Sequence, residues 1–388
     1  MRTHIDYGYY SIFHYGEEVC GDRVVFKPEK KRFMGVLADG MGSGVKANIL
    51  STMGSTILST MLTGGEPLES AVDMVVRSLP VCSERGLNYC TFSVVSIDDM
   101  GYARLAEFDN PQAWIIRNGQ ILQPDRALRT IEGKNVYESE LQLVEDDMIV
   151  VTSDGAVNCG VDNNFSFSWT WDSVADWLCR RGPALTSARR VARELIEAVN
   201  NLYGGRPTDD CTAMVIRITK EENVSLMYGP PEYPEDDEFM VKEFMENGGT
   251  RIICGGTTAG IVARVLDYPV ETLAETAADG VPPISFMPDI DLVTEGLLTM
   301  TRAADIMERY FASEEAGYSE LDAENGAAIL ARQLIERCTS LQVYIGRAQN
   351  EGYAGKDVPL DLNMKMKAID RICELLDKRG VPVTKYYY

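Results

Sequence analysis

Two histidines, His4 and His14, are all that the 388 residues contain. A Ser-His-Asp or Cys-His hydrolase would have to recruit one of them as its base, and neither lies in a nucleophile motif. The same scarcity disfavours a histidine-rich zinc site. Positive charge is short as well. Lys and Arg number 37 against 59 Asp and Glu, for a net charge of −22, which argues against nonspecific binding to nucleic acid or to anionic membranes. Long apolar runs are missing: none approaches the ~20 residues that span a bilayer. So is ordered cysteine spacing. The nine cysteines are odd in number and show no CxxC pair. Without a signal-peptide pattern they read as reduced, mostly buried thiols of a cytoplasmic protein. Any hydrolytic chemistry here has to be done with carboxylates and metal.

Carboxylates are where the order lies. Val36-Leu37-Ala38-Asp39-Gly40-Met41-Gly42-Ser43-Gly44 ends an apolar strand in an aspartate and glycines, ahead of an amphipathic helix. A carboxylate beside backbone that only glycine permits lets a side-chain oxygen and a bare carbonyl face one point, as a hard divalent cation requires. A strand–glycine loop–helix can also cradle a phosphate. Three further aspartates sit at strand ends or in matching loops: Cys20-Gly21-Asp22, Thr152-Ser153-Asp154-Gly155 and Thr208-Asp209-Asp210-Cys211-Thr212. Each alone reads equally as a turn or a helix cap. Asp209 and Asp210 are adjacent, so on a strand they face opposite ways and one of them is structural. Taken jointly the four motifs favour a metal, because unpaired buried carboxylates are very costly.

In this order the motifs resemble the metal-dependent (PPM-type) serine/threonine protein phosphatases, in the bacterial branch typified by the stage II sporulation phosphatase E. Phe108-Asp109-Asn110-Pro111 is similar to that family's Phe-Gly-Asn-Pro, with aspartate for the usual glycine. The resemblance covers roughly residues 1–220, a typical single-domain length. It implies an α/β/β/α sandwich of two antiparallel sheets flanked by helices, with two Mn²⁺ or Mg²⁺ ions at one edge. Asp39 would bridge both ions and the Gly40 carbonyl would bind the second. Asp22 would reach that second ion through water, and Asp154 and Asp209 would complete the first. The bridging water would attack phosphorus directly, without a phosphoenzyme. Met41 stands where some relatives place a general-acid histidine. The partner implied is a phosphoserine or phosphothreonine protein. Two rival readings stay open: a phosphatase-fold sensor or scaffold without turnover, and a hydrolase of small phosphoesters.

The pattern along the chain agrees with two domains. Val24–Phe26 and Phe33–Ala38 form a hairpin over Pro28-Glu29-Lys30, and Val45, Ile49, Met53, Ile57 and Met61 make one apolar helical stripe. Gly64-Gly65 ends that helix, and a second, opened by Pro67 and stopped by Pro80, carries Leu68, Val72, Val75 and Leu79. In the resembling branch these two helices are a switch set by partners or by dimerisation, so a homodimer is compatible with the reading. Strands follow at about 90–97, 102–108 and 113–117, a hairpin at Asn118-Gly119, and a strand at Met148–Thr152. Helices at about 171–181 and 186–202 precede a last strand, Cys211–Ile218. Residues 221–240, with Pro230-Pro231 and an acidic run, read as a linker.

Beyond it, strands alternate with helices over 241–388, which argues a smaller α/β domain with a mostly parallel sheet. By rough count the net charge is about −7 before residue 221 and about −15 after it. Gly255-Gly256-Thr257-Thr258 closes a strand and opens a helix there. The turn is either a capped helix start or a pocket for a small anionic effector.

Overall fold

Apolar residues along the strands of the first half alternate between two cores. Met148 and Val150 pack with helices on one side, while Ile149 and Val151 pack against a second sheet on the other; successive side chains of a strand point to opposite faces. The computed structural model describes residues 4–29, 31–79, 90–157, 159, 169–185, 187–312, 320–348 and 358–388. By contact the chain divides into two units, Met1–Lys220 and Glu221–Tyr388.

The first unit holds β1 (His4–Ile12), β2 (Asp22–Pro28), β3 (Arg32–Gly40), β4 (Cys90–Asp98), β5 (Tyr102–Phe108) and β6 (Trp114–Arg117). Then come β7 (Gln120–Leu122), β8 (Arg126–Ile131), β9 (Lys134–Gln142), β10 (Met148–Thr152) and β11 (Cys211–Thr219). They make two antiparallel sheets, β1-β11-β10-β6-β7 and β2-β3-β4-β5-β9-β8. Between the sheets lies a core that includes Leu37, Val95 and Leu105 from one and Ile149, Val151, Met214 and Ile216 from the other. Helices α1 (Gly44–Thr63) and α2 (Leu68–Ser78) cover one outer face, and α3 (Trp171–Arg181) and α4 (Ala188–Leu202) cover the other. This is the α/β/β/α sandwich expected. The hairpin between β6 and β7 turns at Asn118 and Gly119, both with φ positive at 52° and 71°, as a two-residue turn of matching twist requires.

In this unit the structure departs from the sequence reading at two points. The helical stripe begins on the wrong face: Val45 and Ile49 of α1 are exposed, and only Met53, Ile57 and Met61 lean on the core. The face of α1 turned inward carries Leu58 and the small residues Ala47, Ser51, Gly54, Ser55 and Ser59, which let the helix lie close on β3. Strands β1, β8 and β9 had no sequence expectation, because tyrosines and charges interrupt their alternation. Pro80, the expected helix stop, lies outside the described residues.

In the second unit the supposed linker 221–240 contains a central strand. Residues β12 (Asn223–Tyr228) pair in parallel with β13 (Thr250–Cys254) on one side and β17 (Ser340–Ile345) on the other. Val224, Leu226, Met227 and Tyr228 are buried; the run is short, and its acidic and Pro-rich flanks hid it. The full order is β14 (Glu271–Thr272), β15 (Ser285–Met287), β16 (Ile290–Thr294), β13, β12, β17 and β18 (Val383–Tyr387). From β16 to β18 the sheet is parallel, and β14 and β15 add an antiparallel margin. Helices α5 (Asp237–Glu246) and α6 (Gly256–Leu266) pack on Met227, Ile253, Val293 and Tyr344. Leu226, Ile252, Leu292 and Val343, of the other parity, are buried too, as in a parallel sheet covered on both faces.

Candidate metal centre

Sheet pairing places the first two aspartates side by side. Asp22 opens β2, Asp39 lies near the end of β3, and the two are direct cross-strand partners. The Gly40 N–H donates to the Gly21 carbonyl at 3.3 Å, which keeps the strand ends together past the ladder. A Cβ on Gly40 would lie 2.0 Å from the Ala47 carbonyl oxygen, so glycine is what lets α1 approach this point.

The other two motifs meet where β10 ends and β11 begins. The Ser153 N–H donates to the Thr212 carbonyl at 3.0 Å. Asp154 starts a single 3₁₀ turn, Asp154–Ala156, and a Cβ on Gly155 would sit 2.3 Å from the Asp210 carbonyl oxygen. A hydrogen bond ties the two sheets at this edge: the Ser153 hydroxyl donates to Asp22 Oδ2 at 2.7 Å. Asp209 is half-buried and accepts from the Asp210 N–H at 2.9 Å. Asp210 is buried and accepts from the His14 N–H at 3.1 Å, which ties down the loop leading to Asp22.

Electrostatics shows how crowded the edge is. Burial, then the charges of Asp22, Asp154, Asp209 and Asp210, pushes Asp39 up to about 10. Burial raises Asp22 to about 7 against hydrogen bonds from Ser153 and Thr212 that hold it down. Asp209 rises to about 6, by burial first and Asp154 second. Desolvation and like charge both disfavour the ionised form. Among the described residues no three His, Cys, Asp or Glu side chains converge closely enough to hold an ion as they stand. A carboxylate oxygen there, Asp22 Oδ1, is buried without a hydrogen-bond partner. Buried acceptors of that kind are what a cation, or water on it, satisfies, and an all-oxygen donor set suits a hard divalent ion. The residues fit such a group.

Asn110 is engaged internally, accepting from Thr91 Oγ1 at 2.5 Å and donating to Ser93 Oγ at 3.2 Å. Sequence reasoning missed the Ser153 bridge, because its partner is distant in the chain; it did expect one of Asp209 and Asp210 to be structural, and Asp210 is the one that accepts from the His14 N–H.

In the second unit Gly255 has φ 118° and precedes the first turn of α6. Gly256 and Thr257 are exposed, whereas Thr258 is buried and its hydroxyl accepts from the Gly229 N–H at 3.0 Å. The chain winds off β12 in both directions, and open α/β sheets bind ligands at such a switch point. Here the strand ends are filled by their own loops. The Gly346 N–H donates to the Tyr228 carbonyl at 3.0 Å and the Ala348 N–H to the Pro230 carbonyl at 3.1 Å.

Residues 29–219 match the family model described as stage II sporulation protein E (SpoIIE). Among solved structures the chain is similar to the PP2C phosphatase domain with a fragment of the regulatory domain of SpoIIE from Bacillus subtilis. That match has 21% identity and a TM-score of 0.46, over 56% of this chain and 64% of that one, less than two thirds of its length. The phosphatase domain of SpoIIE from Bacillus subtilis in a crystal form without domain swapping matches at 21% identity and a TM-score of 0.42, over 56% and 93%. RsbX in complex with magnesium matches at 17% identity and a TM-score of 0.40, over 56% and 96%. No curated protein matches the chain.

Proposed function

We propose that the first unit, whose residues 29–219 belong to the stage II sporulation protein E family, is a metal-dependent phosphatase acting on phosphoserine or phosphothreonine of a partner protein. The observation that carries this reading is the gathering of Asp22, Asp39, Asp154 and Asp209 from four separate segments to one edge of the sandwich. Asp39 feels the charge of the other three and of Asp210.

In this reading Asp39 would serve both of two Mn²⁺ or Mg²⁺ ions, Asp154 and Asp209 would serve the first, and the Gly40 carbonyl and Asp22 the second. Such ions would supply an acidified water for attack on phosphorus and offset charge on the phosphoryl oxygens. Asp210 acts through the loop it anchors. No helix among the described residues is long and apolar enough to cross a membrane, and the reading places the enzyme in the cytoplasm.

The α/β unit is assigned regulation, with the exposed N–H groups of Gly256 and Thr257 as the atoms that would meet a small anion. A thermal-shift titration with inorganic phosphate tests that part. The phosphatase assignment is tested by phosphate release from a phosphoserine peptide and from an aryl phosphate, in Mn²⁺ and in EDTA. Metal-dependent turnover that favours the peptide supports it. Turnover of the aryl phosphate alone supports the small-phosphoester hydrolase, and metal binding without any turnover supports the sensor.

A further inference from the structure

Ser153 sits between the two halves of the carboxylate cluster, and its side chain has no part in the reading above. It follows the last residue of β10, is fully buried and precedes Asp154. Its Oγ accepts from the Thr212 N–H at 2.9 Å and donates to Asp22 Oδ2 at 2.7 Å. A hydroxyl has a single proton to give, so with Thr212 as donor the proton of Ser153 is committed to Asp22. The bond spans 131 residues of sequence and crosses from one sheet to the other. It engages one oxygen of Asp22 and leaves Oδ1, buried and without a hydrogen bond, as the free one. The Ser11 and Thr212 hydroxyls are within 2.7 Å of each other, which steadies the backbone from which Ser153 takes its own bond.

We infer that Ser153 is a positioning residue for the second cation subsite, holding Asp22 by Oδ2 so that Oδ1 is presented to the ion or its water. The inference rests on the two-cation reading of the cluster. Because Ser153 is bonded to Asp22 and joined covalently to Asp154, it also sets the spacing between a residue of the first subsite and one of the second. Groups that orient a metal ligand change affinity by roughly 10–100-fold when removed. Replacing the hydroxyl by hydrogen loosens Asp22, which Thr212 also holds, and leaves the Thr212 N–H without its acceptor.

Mn²⁺ titrations of the full chain by calorimetry test this on four proteins: wild type, Ser153→Ala, Asp22→Ala and the double variant. The expected result is two ions in the wild type and a ~10–100-fold weaker second ion in Ser153→Ala, with the first ion unchanged. In the Asp22→Ala background, Ser153→Ala should add nothing further, since the two act as one unit. Ser153→Cys, nearly the same size and only a weak donor, carries the same test if Ser153→Ala does not fold. Wild-type affinity in Ser153→Ala overturns the inference. So does an equal loss of both ions, or an effect that persists undiminished in the Asp22→Ala background; either marks Ser153 as a structural tie between sheets. A wild type that binds no Mn²⁺ overturns the cation centre itself, and with it this inference.

Discussion

Burial and like charge act on the same few aspartates, and pH exposes the cost. Unfolded, these carboxyls ionise near ~3.9; folded without a cation, Asp209 and Asp22 hold their protons to about 6 and about 7. A folded pKa above the unfolded one means that the contribution to stability is full below pH ~4 and is lost as pH rises through those values. A divalent cation binds the ionised form and removes that loss. The difference in melting temperature between Mn²⁺ and EDTA should therefore widen from about pH 5 to about pH 8. A constant or narrowing difference would contradict the arrangement. At this scale the strand-end placement of the four aspartates was legible, because glycine and serine neighbours mark strand ends in the sequence itself. The Ser153–Asp22 bond was not, since nothing local in Thr152-Ser153-Asp154 names a partner 131 residues away.

Helix α1 shows what periodicity can and cannot say. A repeat of four marks residues that share a helical face, but which face turns inward depends on how near the helix must come. Next to Gly40 it comes very near, so Ala47, Ser51, Gly54 and Ser55 go inside and Val45 and Ile49 stay out. Leu58→Ala, at a fully buried site on the inward face, should cost ~2–5 kcal/mol. Ile49→Ser should change stability by no more than ~0.5 kcal/mol. Urea denaturation of both variants checks the assignment, and a large cost at Ile49 would place the helix wrongly. Gly40→Ala, where a Cβ meets the Ala47 backbone, should cost ~1–3 kcal/mol by overpacking and weaken Mn²⁺ binding, because the glycine's carbonyl is the proposed ligand. Strand β12 was illegible for another reason: Val224-Ser225-Leu226-Met227-Tyr228 is too short to outweigh the charged and proline-rich residues around it.

Across the whole molecule the two units each enclose cores of their own, so the fragments 1–220 and 221–388 should each unfold in a single cooperative transition. Failure of either fragment to fold alone would make the boundary at Lys220 a packing feature rather than a domain limit. The overall classes were legible by different routes: the two-sheet sandwich through the family resemblance of the aspartate motifs, and the mostly parallel α/β unit through strand–helix order, which survives even where single elements are misread. What the second unit binds was not legible, since the glycine turn at Gly255 serves helix packing and anion binding with the same residues. The central claim is that a carboxylate cluster at the sandwich edge performs metal-dependent hydrolysis, and it is tested most directly by phosphate release from a phosphoserine peptide with the full chain in Mn²⁺, wild type against Asp39→Asn. An amide cannot balance the charge of two dications, so the account predicts turnover in the wild type and a loss of more than ~100-fold in the folded variant. Undiminished turnover in folded Asp39→Asn would contradict it.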